Sequence, residues 1–583
     1  MNRNFEVVRD KEFDVVVIGA GIDGAGVAWD AALRGLRVLL IDKGDFGHGA
    51  SAGCFRIVHG GLRYLQHLDI ARLRDSVNEQ RILRIIAPHL VRPLPFIVPC
   101  YGYAMRGKEV LDFALYAYEL LALDRNKGVG VDERLPAHKV ISRAALLNLA
   151  PGLSADGLRG GLAYYDCQMT NCERLTLAVA QGAERAGARL LNYAKVVGFE
   201  IESNDQRGIV NQVKIRDEIS GSLAEVSAKC VVLSVGPWRR ELDALISQAC
   251  ERSGLHENSD SANSRSPQAL SKGVQLVLSS QVSSSALAIE SKYHDRGALV
   301  GRGGRSYFLV PWQGKTLVGT SDELYIGDPD DFVISKQESQ AFLAEVASLY
   351  KSPALNPEHL THAFGGLRPV DPDICSSAKE CSPGDALVSR EDKVVAYSNR
   401  KNGSPLDNVF SVEGVKYTTF RSLAKRAVDQ VEKTIFQRQT PCKTDSTLLP
   451  GADIGDMAQY LASARKEWGQ LFSKTSMERL VSNYGSLTQD LANMIAQDLN
   501  LGEPIAPGSL VLKAEIVRAC RKEMVCGLSD LVFRRTDLGT SGFPSNAAFE
   551  SAAQIASQEL GWLDENLTRQ KEIVIKQFPL LAQ

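Results

Sequence analysis

The sequence predicts an α/β protein of three parts: a nucleotide-binding domain around a parallel sheet, an inserted mixed β-sheet domain, and a C-terminal α-helical domain. Three observations carry this. A continuous β-branched run, Asp14 to Ile18, leads straight into Gly19, Gly21 and Gly24 and then into an alanine-rich segment from Ala25 to Leu33. Strand-like apolar runs recur through the middle of the chain, and from about residue 441 the composition shifts to helix formers. At 583 residues the chain exceeds what one hydrophobic core accommodates.

The first stretch organises the rest. Gly19 permits a tight turn, Gly21 lets the backbone approach a pyrophosphate, and Gly24 lets the helix pack closely on the sheet. The helix start then offers N–H groups and the positive end of its dipole to phosphates. Gly35 ends that helix, and Arg37 to Ile41 reads as a second strand ending in Asp42, placed to accept hydrogen bonds from ribose hydroxyls. The strand, turn, helix, strand and acid in this order predict Rossmann-type dinucleotide binding.

Further along, Lys43 to Ser51 and Arg56 to Leu65 follow the carboxyl end of the second strand, where loops line a ligand crevice. His59, Gly60, Gly61, Arg63 and Tyr64 are therefore expected to meet cofactor or substrate. Ile70 to Ile86 reads as an amphipathic helix stopped at Ala87-Pro88, Pro93 to Tyr103 as a strand pair broken by prolines, and Leu111 to Leu123 as a mostly apolar helix that suits burial or a membrane surface. A helix from Leu175 to Ala186, a strand from Arg189 to Tyr193 and a hairpin-like region to about residue 227 come next. The strand from Lys229 ends in a second glycine turn at Gly236. Residues 253–267 are polar and serine-rich, an insertion without a site. Strands near Lys272, Gly303 and Thr316 suggest an antiparallel sheet; the segments at Gly365 and Val409 return the chain to the first domain, and a helix follows from about Arg421 to Lys433. In the tail, Val517, Cys520, Met524, Leu528 and Leu531 recur at helical spacing as a buried stripe. The expected boundaries are 1–75, 155–245 and 366–440 for the nucleotide-binding domain, 76–154 and 246–365 for the substrate domain, and 441–583 for the helical domain.

Composition excludes several classes. Net charge is −2, from 67 basic and 69 acidic residues, which leaves no electrostatic case for nucleic acid. No apolar run is long enough to span a bilayer, and the polar first residues are unlike a secretory signal. Eleven cysteines without a C-x-x-C pattern predict reduced thiols facing a cytosol and no metal site. Cys167 and Cys172, and Cys520 and Cys526, read as small core residues.

The segments GAGIDGAGVAWDAALRGLRVLLIDKGDF, IVHGGLRYL, APHLVRPLPF, SVGPW, LVPW with VGTSDE, GGLRPV and VKYTTFR, in this order, together resemble the FAD-dependent glycerol-3-phosphate dehydrogenases. The tail, with YGS at Tyr484, LKAEIVRACRKEM and FRRT, is similar to that family's C-terminal domain. The resemblance implies a Rossmann-type FAD-binding domain with an inserted mixed β-sheet substrate domain. It implies oxidation of sn-glycerol 3-phosphate to dihydroxyacetone phosphate, with hydride passing to flavin N5 and electrons to a quinone, or to oxygen in oxidase members. A peripheral location on the inner, cytoplasmic face of the cytoplasmic membrane and a homodimer accompany it. Matched residue by residue, Arg63, Tyr64, Arg368 and Lys416 fall near substrate, with Arg368, Lys416 and Gln275 at catalytic positions. Gly19, Gly21, Gly24, Asp42, Lys43, Ser51, Arg56, His59, Gly60, Gly61, Gly236, Lys416, Thr418 and Thr419 fall at the cofactor.

The sequence departs from the family at three places. A serine run ending in lysine becomes Ser51-Ala-Gly-Cys-Phe-Arg56, a histidine becomes Gln275, and a glycine pair becomes Gly414-Val415. All three surround the substrate in the family, so two alternatives stand: a same-fold flavoenzyme for another small anionic hydroxy or amino compound, and an FAD-binding homologue with impaired catalysis. From its own flanks, Lys416 reads either as a site cation or as half of a surface ion pair, and Arg368 either as a site cation or as a loop charge.

Overall fold

The computed structural model describes residues 1–103, 107–204, 207–255, 269–290, 306–370, 389, 391–399 and 406–581. Among these, two sheets carry the architecture. The first is centred on the strand Glu12–Ile18, flanked in parallel by Val38–Ile41 and by Leu223–Leu233. Leu223–Leu233 is paired in turn with Val409–Glu413, also parallel. These strands are apolar almost throughout because both faces are covered, as a parallel sheet requires. One face packs on the helices Ile22–Leu33, Cys172–Arg185 and Phe420–Val431; the other packs on the antiparallel ribbon Ala194–Asn204 with Arg207–Asp217 and on the helix Arg239–Arg252.

Register aligns the strand ends. Ile18 lies opposite both Ile41 and Leu233, and Leu233 opposite Ser411. Gly19, Asp42 and Gly236 therefore emerge along one crevice although they are far apart in sequence.

The second sheet has ten strands. Val91–Tyr101 is one long strand rather than the expected pair, antiparallel to Leu158–Met169. Its prolines at 93, 95 and 99 occupy alternate positions, so their missing N–H groups face one edge. Along its other side from Leu158–Met169, among the described residues only Ala286 and Leu287 pair with it, so few ladder bonds are lost. Ile57–Val58, Leu158–Met169 and Leu360–Pro369 all belong to this second sheet. The boundary expected at 366 thus falls inside a strand of this sheet and the one expected at 155 just before another, because backbone pairing, invisible in composition, makes the assignment.

The helix Ile70–Ile86 has the predicted ends, its start capped by Asp69 accepting from Arg72 N. The apolar helix covers Lys108–Leu121. The tail contributes helices from Met457–Trp468 to Asp564–Lys576 over two cores of its own. Its predicted stripe is divided: Lys513–Lys522 ends before Met524, which takes φ +52°, and a new turn begins at Leu528. The serine-rich stretch beyond residue 255 and the Gly303 end of its strand lie outside the described residues.

Candidate active site

The glycine turn has the geometry its spacing requires. Gly19 takes φ +98°, and a Cβ there would lie 2.3 Å from Ser234 O. A Cβ on Gly24 would lie 1.9 Å from Gly19 O, so any side chain would push the helix off the turn. In front of Gly21, the N-cap of Ile22–Leu33, the nearest atom to a Cβ is Ser51 Oγ at 3.1 Å. That leaves a cradle at a helix N-terminus fit for a pyrophosphate. Ser51 Oγ itself accepts from Ile22 N at 2.9 Å and so borders the cradle. Asp42 accepts from Ala20 N at 2.6 Å and from Gly44 N at 2.9 Å. These two bonds hold the turn and leave acceptor capacity on the carboxylate for a ribose.

Two residues assigned to the cofactor are engaged elsewhere. The Lys43 ammonium lies 2.9 Å from Asp330 and 4.8 Å from the Trp238 ring centroid, while Trp238 Nε1 donates to the same Asp330 at 2.6 Å. Arg56 is buried, makes a paired contact to Glu173 at 2.6 and 2.7 Å, and stacks on Trp312 at 4.7 Å. Both cations found carboxylates that lie far away in sequence, which no local reading reveals. Gly236, with φ +53°, opens a short turn at the crevice.

The histidine-glycine segment is held by a residue the sequence reading missed. Asp166, on Leu158–Met169, accepts from Gly60 N at 2.6 Å and from Gln80 Nε2 at 2.8 Å, and lies 3.5 Å from His59 Nδ1. His59 N donates to Thr418 Oγ1 at 3.2 Å, joining this segment to the one carrying Lys416. Gly61 takes φ +82° and starts the turn Leu62–His67.

There Arg63, Tyr64 and Lys416 meet. Lys416 Nζ sits 3.7 Å from the Tyr64 ring centroid, and burial, with the Arg63 charge beside it, lowers its pKa to about 7. Among the described residues no carboxylate lies within ion-pair distance of Lys416, so the surface ion pair is not what forms. Its loop is fixed by Asp392, which accepts from Val415 N and from Thr419 Oγ, both at 2.8 Å. Gly414 leaves room for Asp23 of the pyrophosphate helix, and burial followed by the charge of Asp392 raises Asp23 to about 7.

Arg368 and Gln275 sit across the second sheet. Arg368 donates to Ser271 Oγ at 3.0 Å and lies 3.5 Å from buried Asp322. Gln275 is 3% exposed, and the amide orientation that satisfies both its ends donates from nitrogen to Phe364 O at 2.9 Å and to Gly53 O at 3.2 Å. The loop from Ala50 to Phe55 lies flat on this sheet, with a Cβ on Gly366 2.9 Å from Ala50 Cα and one on Gly53 2.1 Å from Gly365 O. Gln275 thus holds the loop in place. Arg368 and Gln275 thus stand on the second sheet, and Lys416 on the segment that meets Tyr64 and Arg63.

Comparison with known proteins agrees with this layout. Residues 14–389 match the FAD dependent oxidoreductase family. Residues 442–567 match the C-terminal domain of alpha-glycerophosphate oxidase. Fold and cradle thus define the class, an FAD-dependent oxidoreductase with FAD as its cofactor. The chain is 31% identical to a glycerol-3-phosphate dehydrogenase of Synechocystis sp., covering 97% of this chain and 96% of that one. It is 30% identical to an aerobic glycerol-3-phosphate dehydrogenase of Staphylococcus haemolyticus, over 91% of this chain and 89% of the relative. A glycerol-3-phosphate dehydrogenase from Bacillus halodurans, solved in complex with FAD, shares the fold with TM-score 0.71 and 24% identity, over 99% of this chain and 97% of that one. The chain belongs to the glycerol-3-phosphate dehydrogenase family.

Proposed function

We propose that the protein oxidises sn-glycerol 3-phosphate to dihydroxyacetone phosphate and passes the electrons to a quinone. The observation that carries this reading is the meeting of Arg63 and Lys416 over Tyr64, two cations from opposite ends of the nucleotide-binding domain. The Arg63 guanidinium offers charge-assisted donors to a phosphate, and its charge beside half-buried Lys416 favours the neutral amine. Bound FAD, held non-covalently at the glycine cradle, supplies the hydride acceptor at N5. The chain's own residues do the rest. Arg63 binds the phosphate. Lys416, neutral above about pH 7, accepts the proton of the C2 hydroxyl, since Gln275 carries no titratable group. Arg368 stabilises the developing alkoxide from the sheet side.

Electron transfer to a quinone motivates a peripheral membrane location. Among the described residues no helix is long and apolar enough to cross a membrane. The helix Lys108–Leu121 packs Leu115 and Tyr118 inward, with Tyr118 against Leu62 and Tyr64, while Phe113 is 74% and Leu120 69% exposed. An apolar face directly behind the Arg63 segment suits attachment to a lipid surface.

Anaerobic mixing of the yellow protein with glycerol 3-phosphate tests the proposal: the flavin should bleach, and a quinone analogue should restore its colour. Bleaching by another small anionic hydroxy or amino compound, but not by glycerol 3-phosphate, overturns the substrate. Acid precipitation should release the flavin into the supernatant. Co-sedimentation with anionic vesicles should be lost on Phe113→Glu with Leu120→Glu; retention would sink that docking face.

A further inference from the structure

The acid at the end of the second strand is held from one side by the glycine turn and from the other by the C-terminal domain. Asp42 and Asp45 bound a short turn, with only Lys43 and Gly44 between them. On the first side, Ala20 N donates to Asp42 and Gly47 N donates back to Ala20 O at 2.9 Å. On the second side, buried Asp45 accepts from Arg534 Nε at 2.6 Å and from Arg535 Nη1 and Nη2 at 2.8 and 2.7 Å. Both arginines stand on the helical turn Leu531–Arg535. Gly44, whose N–H donates to Asp42, has a second tie to the same region: its carbonyl accepts from Tyr193 N at 2.8 Å. Tyr193 takes φ +53°, a left-handed conformation that is costly for a residue with a side chain, and its hydroxyl donates to Asp530 Oδ1 at 2.5 Å. Its neighbour Asn192 spans the joint, with Nδ2 donating to Asp45 Oδ1 at 3.0 Å and to Met524 O at 3.1 Å.

We propose that Arg534 and Arg535 are positioning residues for the cofactor: through Asp45 they set the turn that presents Asp42 to the adenosine ribose of FAD. The C-terminal domain is then part of the FAD-binding apparatus. This rests on the reading of Asp42 as the ribose acid. Three features separate it from a joint that only holds two domains together. The Arg535 fork engages both oxygens of Asp45, which fixes the direction of that carboxylate as well as its distance. Asp45 lies three positions from Asp42, and the bond from Gly44 N to Asp42 lies inside that interval, so a shift of Asp45 is passed to the acid. The strained backbone of Tyr193, which supports Gly44, persists only while its surroundings over-determine it, and Asp530 is one of those surroundings.

Linkage makes the coupling reciprocal. If closing the joint strengthens FAD binding by some factor, FAD binding favours the closed joint by the same factor. Loading the cofactor at the glycine turn is therefore felt at residues 528–536, on the far side of Asp45 from the ribose.

The test follows FAD release from the full-length holoenzyme by flavin fluorescence, well below the melting temperature, and FAD affinity on reloading. Arg535→Met should weaken FAD binding about five- to a hundredfold. Arg535→Lys, which keeps the charge but loses the fork, should restore part of that loss. Arg479→Met opens another buried pairing, with Glu515 and Asp537, and should leave FAD binding as in wild type. Asp42→Ala should weaken FAD binding by itself, and adding Arg535→Met to it should weaken binding little further, since the guanidinium acts through that carboxylate. Unchanged affinity in Arg535→Met, an equal loss in Arg479→Met, or full additivity with Asp42→Ala would each overturn the positioning role. Unchanged affinity in Asp42→Ala alone would instead strike the ribose reading, and the inference with it. The unmutated chain supplies a check that no folding defect can obscure. Amide hydrogen exchange across residues 528–536 should slow when FAD is loaded, while exchange in the helix Met457–Trp468 stays the same; equal exchange at 528–536 with and without FAD would overturn the coupling.

Discussion

Two places in the molecule gather positive charge, and they treat it in opposite ways. At the junction with the C-terminal domain, Arg534 and Arg535 both bind Asp45, at 2.6 and 2.7 Å, just beyond the second strand. Arg174 reaches Glu523 at 2.7 Å, and Tyr193 donates to Asp530 at 2.5 Å. Despite burial, which opposes it, Arg535 and Arg534 hold the Asp45 carboxyl well below the usual range. Every one of these guanidiniums has a carboxylate. At the pocket, Lys416 has an aromatic face and another cation instead, and its pKa falls. Paired buried charges make a joint between domains, whereas a half-buried lysine set beside a second cation is the arrangement that the proposed anionic substrate would complete.

The comparison is most easily broken at the joint. Asp45→Ala leaves buried Arg535 without its carboxylate and Arg534 with Asp530 alone, and should cost about 3–5 kcal/mol in denaturant unfolding. A loss under about 1 kcal/mol would mean that the junction is not closed. With wild type, the ionised Asp45 contributes stability above its unfolded pKa of about 3.9, and that contribution is lost only as pH falls through its lower folded value.

At the pocket, Lys416→Met should lower kcat/KM at least a hundredfold, about 3 kcal/mol, while leaving unfolding stability unchanged or higher. In wild type kcat/KM should rise with pH through about 7 as the free lysine becomes neutral. A rate that falls through that range would assign the charged form instead. Arg63→Ala should raise KM for glycerol 3-phosphate with little change in kcat, for a loss of about 1.5–3 kcal/mol in kcat/KM.

Smaller effects sharpen the contrast. Gln275→Ala removes two donors to backbone carbonyls and should cost about 1–2 kcal/mol in stability, with weaker flavin retention on gel filtration. Gln275→His should give no gain in flavin reduction, because that position braces the loop. Lys43→Ala breaks a partly exposed pair with Asp330 and should change stability by less than about 1 kcal/mol in a thermal melt.

Sequence by itself determined the glycine cradle, because strand, turn, helix and second strand are contiguous and each residue's role there is local: Gly19 by its φ, Gly24 by its packing, Asp42 by its place at a strand end. Through the family resemblance it also brought Arg63, Tyr64 and Lys416 together, which the structure places side by side, and it determined the helix Ile70–Ile86 to the residue. Tertiary structure alone decided the partners of the charged residues. Arg56 and Lys43 look like cofactor ligands until Glu173 and Asp330 are found beside them, and Asp45 becomes a domain lock only through Arg534, 489 residues away. Asp166 and Asp392 were equally hidden. The reason is physical. A turn's conformation is set by the residues within it, but the state of a buried charge or thiol is set by whatever packs within a few ångströms, and that neighbour is chosen by the path of the whole chain.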